Sequence, residues 1–183
     1  MKNEISGDIS RILIDEDELK KIVDSLAERI ARDYAGKKPV IMCVLRGSLI
    51  FTADLIRKLP LDCTVEFVTC SSYNSGTETN GHVEVNFSTK ADYTGKDIIV
   101  LEDILDTGYT LSKLVELLRT FNPTSVEICT LLSKEERREI FVDAKYIGAY
   151  IDNQFVVGYG LDYNQKYRNL PYVGVLKDEM IGV

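Results

Sequence analysis

A chain of 183 residues with 45% hydrophobic and 28% charged side chains has the make-up of one globular unit, 1–183, with room for a sizeable core. Its formal net charge of −7 disfavours non-specific binding to nucleic acid or to an anionic membrane surface. No basic-plus-apolar leader and no apolar run of membrane-spanning length occur, so a cytoplasmic protein with no nucleic-acid or membrane partner is expected.

Ile12-Leu13-Ile14 reads as a short strand. Asp15 and Glu18 have the spacing of a capping box, and Leu19, Ile22, Val23, Leu26 and Ile30 then recur at helical spacing towards a stop at Gly36. Val40 to Leu45 reads as a buried strand, Ser48 to Leu59 as a helix ended by Pro60, and Thr64 to Cys70 as a strand. Ser71 to His82 is a long polar loop, expected to act as a mobile lid, and a strand follows around Val83 to Phe87. His82, the one histidine, is expected at the surface. Asp97 to Leu101 is the expected central strand, Leu111 to Phe121 its helix, and Ser125 to Leu132 the next strand; Ala149 to Tyr159 contains more strand. Cys43, Cys63, Cys70 and Cys129 lack metal-site spacing and lie in or beside apolar runs, as reduced thiols do. Asn86-Phe87-Ser88 matches a glycosylation sequon that is expected to be idle. Strands alternating with helices predict an α/β unit with a mostly parallel sheet, which binds ligands at the strand C-terminal ends. Arg46, Asp103 and Lys134 fall there.

Ile98 to Leu111 is the most informative stretch. An apolar strand ends in two adjacent carboxylates, Glu102 and Asp103, followed by the loop Asp106-Thr107-Gly108-Tyr109-Thr110 and an amphipathic helix. Such a junction aims backbone N–H groups and the positive end of a helix dipole at one place, which suits a phosphate. Thr107 and Thr110 add hydroxyl donors, Gly108 permits close backbone approach, and the paired acids suit ribose hydroxyls, directly or through a divalent cation. Asp and Thr also suit a plain helix cap. The stretch is not a P-loop, and Gly158-Tyr159-Gly160 does not continue into a dinucleotide fingerprint.

Glu102 to Thr110 resembles the phosphoribosyl pyrophosphate (PRPP) signature of purine phosphoribosyltransferases, in the form carried by the hypoxanthine-guanine branch. The likeness recurs in order at Leu45-Arg46-Gly47, Ser72-Tyr73, Lys134, and Phe155 through Arg168. It implies the type I phosphoribosyltransferase fold: one domain with a mostly parallel sheet flanked by helices, a small hood and a flexible lid loop.

Several roles follow from that resemblance. Asp106 to Thr110 would cradle the 5′-phosphate of PRPP, and Asp106 would be the general acid/base near N7 of the purine. Glu102 and Asp103 would hold the ribose hydroxyls and Mg2+, with Asp162 near a second Mg2+. Arg46, Gly47, Ser72, Tyr73 and Arg168 would meet pyrophosphate, and the Leu45–Arg46 peptide is expected to be cis. Lys134 would donate to O6 of a 6-oxopurine, Phe155 would stack on the base, and the backbone at Val156 and Asp162 would read its edge. Read alone, Lys134 belongs to a solvated charge run and Phe155 to the core. The expected activity is transfer of the phosphoribosyl group to hypoxanthine or guanine by a homodimer or homotetramer. A xanthine or uracil preference on the same fold, or a PRPP-sensing regulator, are the alternatives.

Overall fold

The computed structural model describes residues 7–72 and 83–182. The chain opens with β1 (Ile9–Ile14) and α1 (Glu16–Asp33). The capping box is formed: the Asp15 carboxylate accepts the Glu18 N–H at 2.8 Å, and the Glu18 carboxylate accepts the Asp15 N–H at 3.1 Å. Such a cap is worth about 1 kcal/mol. Of the face of α1 that reads as apolar in the sequence, Leu19, Val23, Leu26 and Ile30 are buried along with Ala27, and Ile22 is half-buried against the same core.

Six strands form one sheet: β2 (Val40–Leu45), β3 (Thr64–Ser72), β4 (Val83–Phe87), β5 (Asp97–Leu105), β6 (Ser125–Ser133) and β7 (Tyr146–Tyr150). Their order is β4-β3-β2-β5-β6-β7, and only the β3–β4 edge pair is antiparallel. Helix α2 (Leu49–Ile56) packs with α1 on one face, against Ile41, Ile99, Leu101 and Leu131. Helix α3 (Tyr109–Arg119) covers the other, against Met42, Val44, Ile98 and Val100. Alternate residues of β2 and β5 thus enter two different cores, which is why both strands are continuously apolar.

Element ends differ from the expected ones for identifiable reasons. The central strand continues four residues past Leu101, because Glu102, Ile104 and Leu105 pair with Thr130, Leu132 and Ser133 of β6. The acidic pair therefore sits within a strand. Helix α2 stops at Ile56 because the N–H groups of Lys58 and Leu59 reach back only three residues, closing a tight turn. Helix α3 ends in the same way before Asn122, whose φ is +53°.

A second, three-stranded antiparallel sheet of order β1-β9-β8 forms the hood, from β8 (Val156–Val157) and β9 (Val173–Leu176) beside β1. A short helix α4 (Asp178–Ile181) follows. All four cysteines are free thiols, with Cys43 and Cys129 buried. Among the described residues no helix is long and apolar enough to cross a membrane.

Candidate active site

The site is built where β2, β5 and β6 end. After β2 the chain turns through the cis Leu45–Arg46 peptide into Gly47 and Ser48. The buried Ser48 hydroxyl donates to the Val44 carbonyl at 2.7 Å, anchoring the turn to its strand. Space at Gly47 is closed: a Cβ there would overlap the Asp103 carboxylate. The Gly47 carbonyl in turn abuts the Cα of Gly160, whose φ of +104° only glycine adopts readily. The turn after β2, the acids of β5 and the segment after β8 therefore meet backbone to side chain.

Glu102 and Asp103 lie side by side at this junction. Burial, then the Asp103 charge, pushes the Glu102 carboxyl well above the usual range. Burial raises Asp103 as well, opposed by the hydrogen bonds it accepts, including the Ile104 N–H at 2.8 Å. Because the Glu102 carboxyl is raised on folding, it favours the folded state below its unfolded value, and that support is lost as pH rises through the folded one. At neutral pH the ionised pair is a cost that a divalent cation would relieve. Hard carboxylate oxygens that repel each other fit Mg2+. Glu102→Gln is expected to raise the thermal midpoint of the protein in EDTA by a few degrees, since about 1 kcal/mol moves Tm by roughly 2–4 °C at this length. It should also blunt the further rise on adding Mg2+ and PRPP. A lowered midpoint in EDTA would contradict this reading of the pair.

Beyond β5 the loop Asp106 to Gly108 leads into α3. Gly108 is the N-cap residue, with φ of +93°, and no side chain caps the helix. Capping is therefore not what Asp106 and Thr107 do. Leu45, Cys70, Glu102, Asp106, Thr107 and Thr110 line a cleft of about 190 Å³. Burial, then the Glu102 charge, pushes the Cys70 thiol up to about 12, which makes it a neutral wall and not a nucleophile. The Asp106 Oδ1 atom is buried without a hydrogen bond. Arg137 Nε stands 3.2 Å from it, close enough for an ion pair but misaligned for a bond.

Lys134 follows β6, and its backbone N–H bonds to the Leu105 carbonyl at 3.0 Å. It is 7% exposed, so it is not part of a solvated charge run. Burial lowers its ammonium below the usual range, with the Asp106 charge opposing and Arg137 assisting. Phe155 is 39% exposed and is not a core residue; Tyr163 packs edge-on against its ring at 5.3 Å. Val156 is buried in the hood sheet.

Asp162 is held from two sides. One oxygen pairs with Arg168 at 2.7 Å and the other accepts the Gln165 N–H at 2.8 Å. Arg168 also donates to the Gly160 carbonyl at 2.7 Å. Arg46 and Arg168, both expected at pyrophosphate, converge on the Gln165 side-chain oxygen at 3.0 and 3.2 Å. Gln165, Tyr163 and Arg138 were not legible as site residues. Gln165 sits in a two-residue turn with Asn164, both at positive φ, and the Asn-Gln pair gives only half of the usual turn signal. Ser72 ends β3, its backbone registered with Val83. Tyr73 and the rest of the expected lid through His82 lie outside the described residues.

A family model described as "Phosphoribosyl transferase domain" matches residues 12–164. Over 174 residues the chain is 42% identical to the hypoxanthine-guanine phosphoribosyltransferase of Staphylococcus aureus strain Mu50, covering 95% of this chain and 97% of that protein. A crystal structure of a hypoxanthine phosphoribosyltransferase from Staphylococcus aureus superposes with a TM-score of 0.93 at 40% identity, covering 98% of each chain. One of a hypoxanthine-guanine phosphoribosyltransferase from Bacillus anthracis gives 0.87 at 42% identity, over 92% of this chain and 99% of that one. Sheet order, hood and domain match agree with the loop motif that first suggested them: the chain has the type I fold and belongs to the phosphoribosyltransferase family, among the hypoxanthine-guanine phosphoribosyltransferases.

Proposed function

We propose that this protein transfers the 5-phosphoribosyl group of PRPP to N9 of hypoxanthine or guanine, giving inosine or guanosine monophosphate and pyrophosphate in purine salvage. The observation that carries this reading is Lys134, buried within reach of the Asp106 charge, next to a phosphate-type loop whose Asp106 oxygen pairs with Arg137 without a hydrogen bond. In this reading the ammonium donates to O6 of the purine and the carboxylate accepts at N7. Similarity to hypoxanthine-guanine enzymes supports it further.

In this reading the N–H groups and hydroxyls of Asp106 to Thr110 bind the 5′-phosphate, and Glu102 and Asp103 orient the ribose. Bound at the two acids, Mg2+ would supply positive charge to the pyrophosphate. Arg46 and Arg168 leave Gln165 to meet the departing oxygens, with Ser72 and Tyr73 closing over them. Phe155 covers one face of the base, while Val156 and Asp162 present backbone groups to its edge, and Asp162 stands near a second metal position. Asp106 accepts the N7 proton as N9 closes on C1′, so positioning and electrostatics supply the rate without a covalent enzyme intermediate. The protein works in the cytoplasm as one domain, assembled as a homodimer or homotetramer.

The Lys134 assignment sets specificity. An ammonium facing O6 rejects the 6-amino group of adenine, because donor would meet donor. Lys134→Met is expected to lower kcat/KM for hypoxanthine and guanine by about 10- to 100-fold, the worth of a hydrogen bond from a charged donor, and to leave the KM for PRPP within about twofold. Steady-state kinetics with each base, adenine included, tests this. Unchanged preference for 6-oxopurines over adenine would contradict it.

A further inference from the structure

The segment from Lys134 to Ile140 reads as a charge run, yet both of its ends are bonded to the end of β5 and the phosphate loop that follows it. The Leu105 carbonyl accepts the Lys134 N–H at 3.0 Å, and the Thr107 carbonyl accepts those of Glu139 and Ile140, each at 3.0 Å. Arg138 completes the set. Its Nε donates to the Asp106 carbonyl at 2.9 Å, while one terminal nitrogen donates to the Leu105 carbonyl at 3.2 Å and to the Ser133 hydroxyl at 3.0 Å. Gly108 lies directly beneath, where a Cβ would overlap the Ile140 carbonyl and touch the Arg138 side chain.

In a trans peptide the carbonyl of one residue and the N–H of the next point in opposite directions. Holding the carbonyls of Leu105, Asp106 and Thr107 outward therefore turns the N–H groups of Asp106, Thr107 and Gly108 the other way. Among the described residues Thr107 and Gly108 donate no backbone hydrogen bond. An anion-binding loop needs this orientation, and a carbonyl swinging inward would repel the anion.

We propose that Arg138 is a positioning residue for phosphate recognition. Its planar fork fixes two adjacent carbonyls away from the site, and an ammonium, as a single point charge, cannot do so. The brace deepens the reading above, on which the anion is the 5′-phosphate. It also hangs the phosphate loop on the segment carrying Lys134.

Calorimetric binding of guanosine monophosphate and of guanosine to the full-length protein tests this. In both Arg138→Gln and Arg138→Lys the nucleotide should bind about tenfold more weakly or worse, the worth of one well-made hydrogen bond to a charged group. Guanosine, lacking the phosphate, should change less than twofold. Arg119→Gln, an equal charge change at the exposed end of α3, should bind both ligands like the parent. Wild-type nucleotide affinity in Arg138→Gln overturns the proposal, as does full affinity in Arg138→Lys, which would mean that charge alone suffices. Equal weakening of both ligands overturns it too, since that marks general damage. Binding needs no turnover, so a protein that shows the expected pattern but releases no pyrophosphate refutes the proposed reaction and still supports the brace.

Discussion

Asp106→Asn is expected to lower kcat by about 10²- to 10⁴-fold, the range in which a positioned general base contributes, with little loss of fold. The substitution keeps the shape of the side chain and removes its capacity to hold a proton. Asp106 Oδ1 is buried with no hydrogen bond, so the amide gives up there only the ion pair with the half-exposed Arg137 at 3.2 Å. The backbone of the residue is fixed independently, through its carbonyl to Arg138. Thermal stability should therefore stay within about 1 kcal/mol of the parent, the upper worth of an exposed ion pair, and the KM for PRPP should move little. Rapid-mixing kinetics separates the chemical step from product release. A kcat within tenfold of the parent would remove Asp106 from proton transfer.

Gly47→Ala is the second large effect and works through space instead of chemistry. The added methyl would occupy the position of the Asp103 carboxylate. Asp103 must then rotate away, losing the Ile104 N–H that fixes it at 2.8 Å, and the acid pair loses its alignment. The turn between β2 and α2 can yield little, because Ser48 is pinned to Val44 and the Gly47 carbonyl abuts Gly160. Activity should fall by about 100-fold, the cost of misplacing a reacting group by an ångström or so. The Mg2+ dependence should shift to higher concentration. Gly47→Ala combined with Asp103→Ala, which frees the space, should bring no loss beyond that of Asp103→Ala alone. Additive losses in the pair would show that the glycine is needed for some other reason.

What was legible in the sequence was local. The Asp15–Glu18 cap, the apolar face of α1 and the buried run of β2 are written within a few residues each, and they occur as read. The loop from Asp106 to Thr110 was legible from its own strand-loop-helix pattern, and the cis Leu45–Arg46 peptide was reached through family likeness to an equally short motif. What was missed is set by distant partners. Two adjacent acids look like the end of a strand, but β6 supplies the ladder that carries β5 through them. Val173–Leu176 is only four residues long, and it is a strand because Ile9–Ile14 and Val156–Val157 flank it. Arg138 stands among five charged neighbours whose pattern says solvent, and only the return of that segment onto the phosphate loop gives it partners. Lys134 was placed in the site by family likeness, and its burial follows from the same return.

Pyrophosphate release by the purified protein with PRPP and Mg2+, one base at a time, separates phosphoribosyl transfer from mere binding. Hypoxanthine, guanine, xanthine, adenine and uracil form the panel, with mass spectrometry of the nucleotide product. Inosine and guanosine monophosphate should form from the first two, and no product from adenine or uracil. Dominant turnover of xanthine or uracil, or binding of PRPP without transfer to any base, would contradict the proposed reaction.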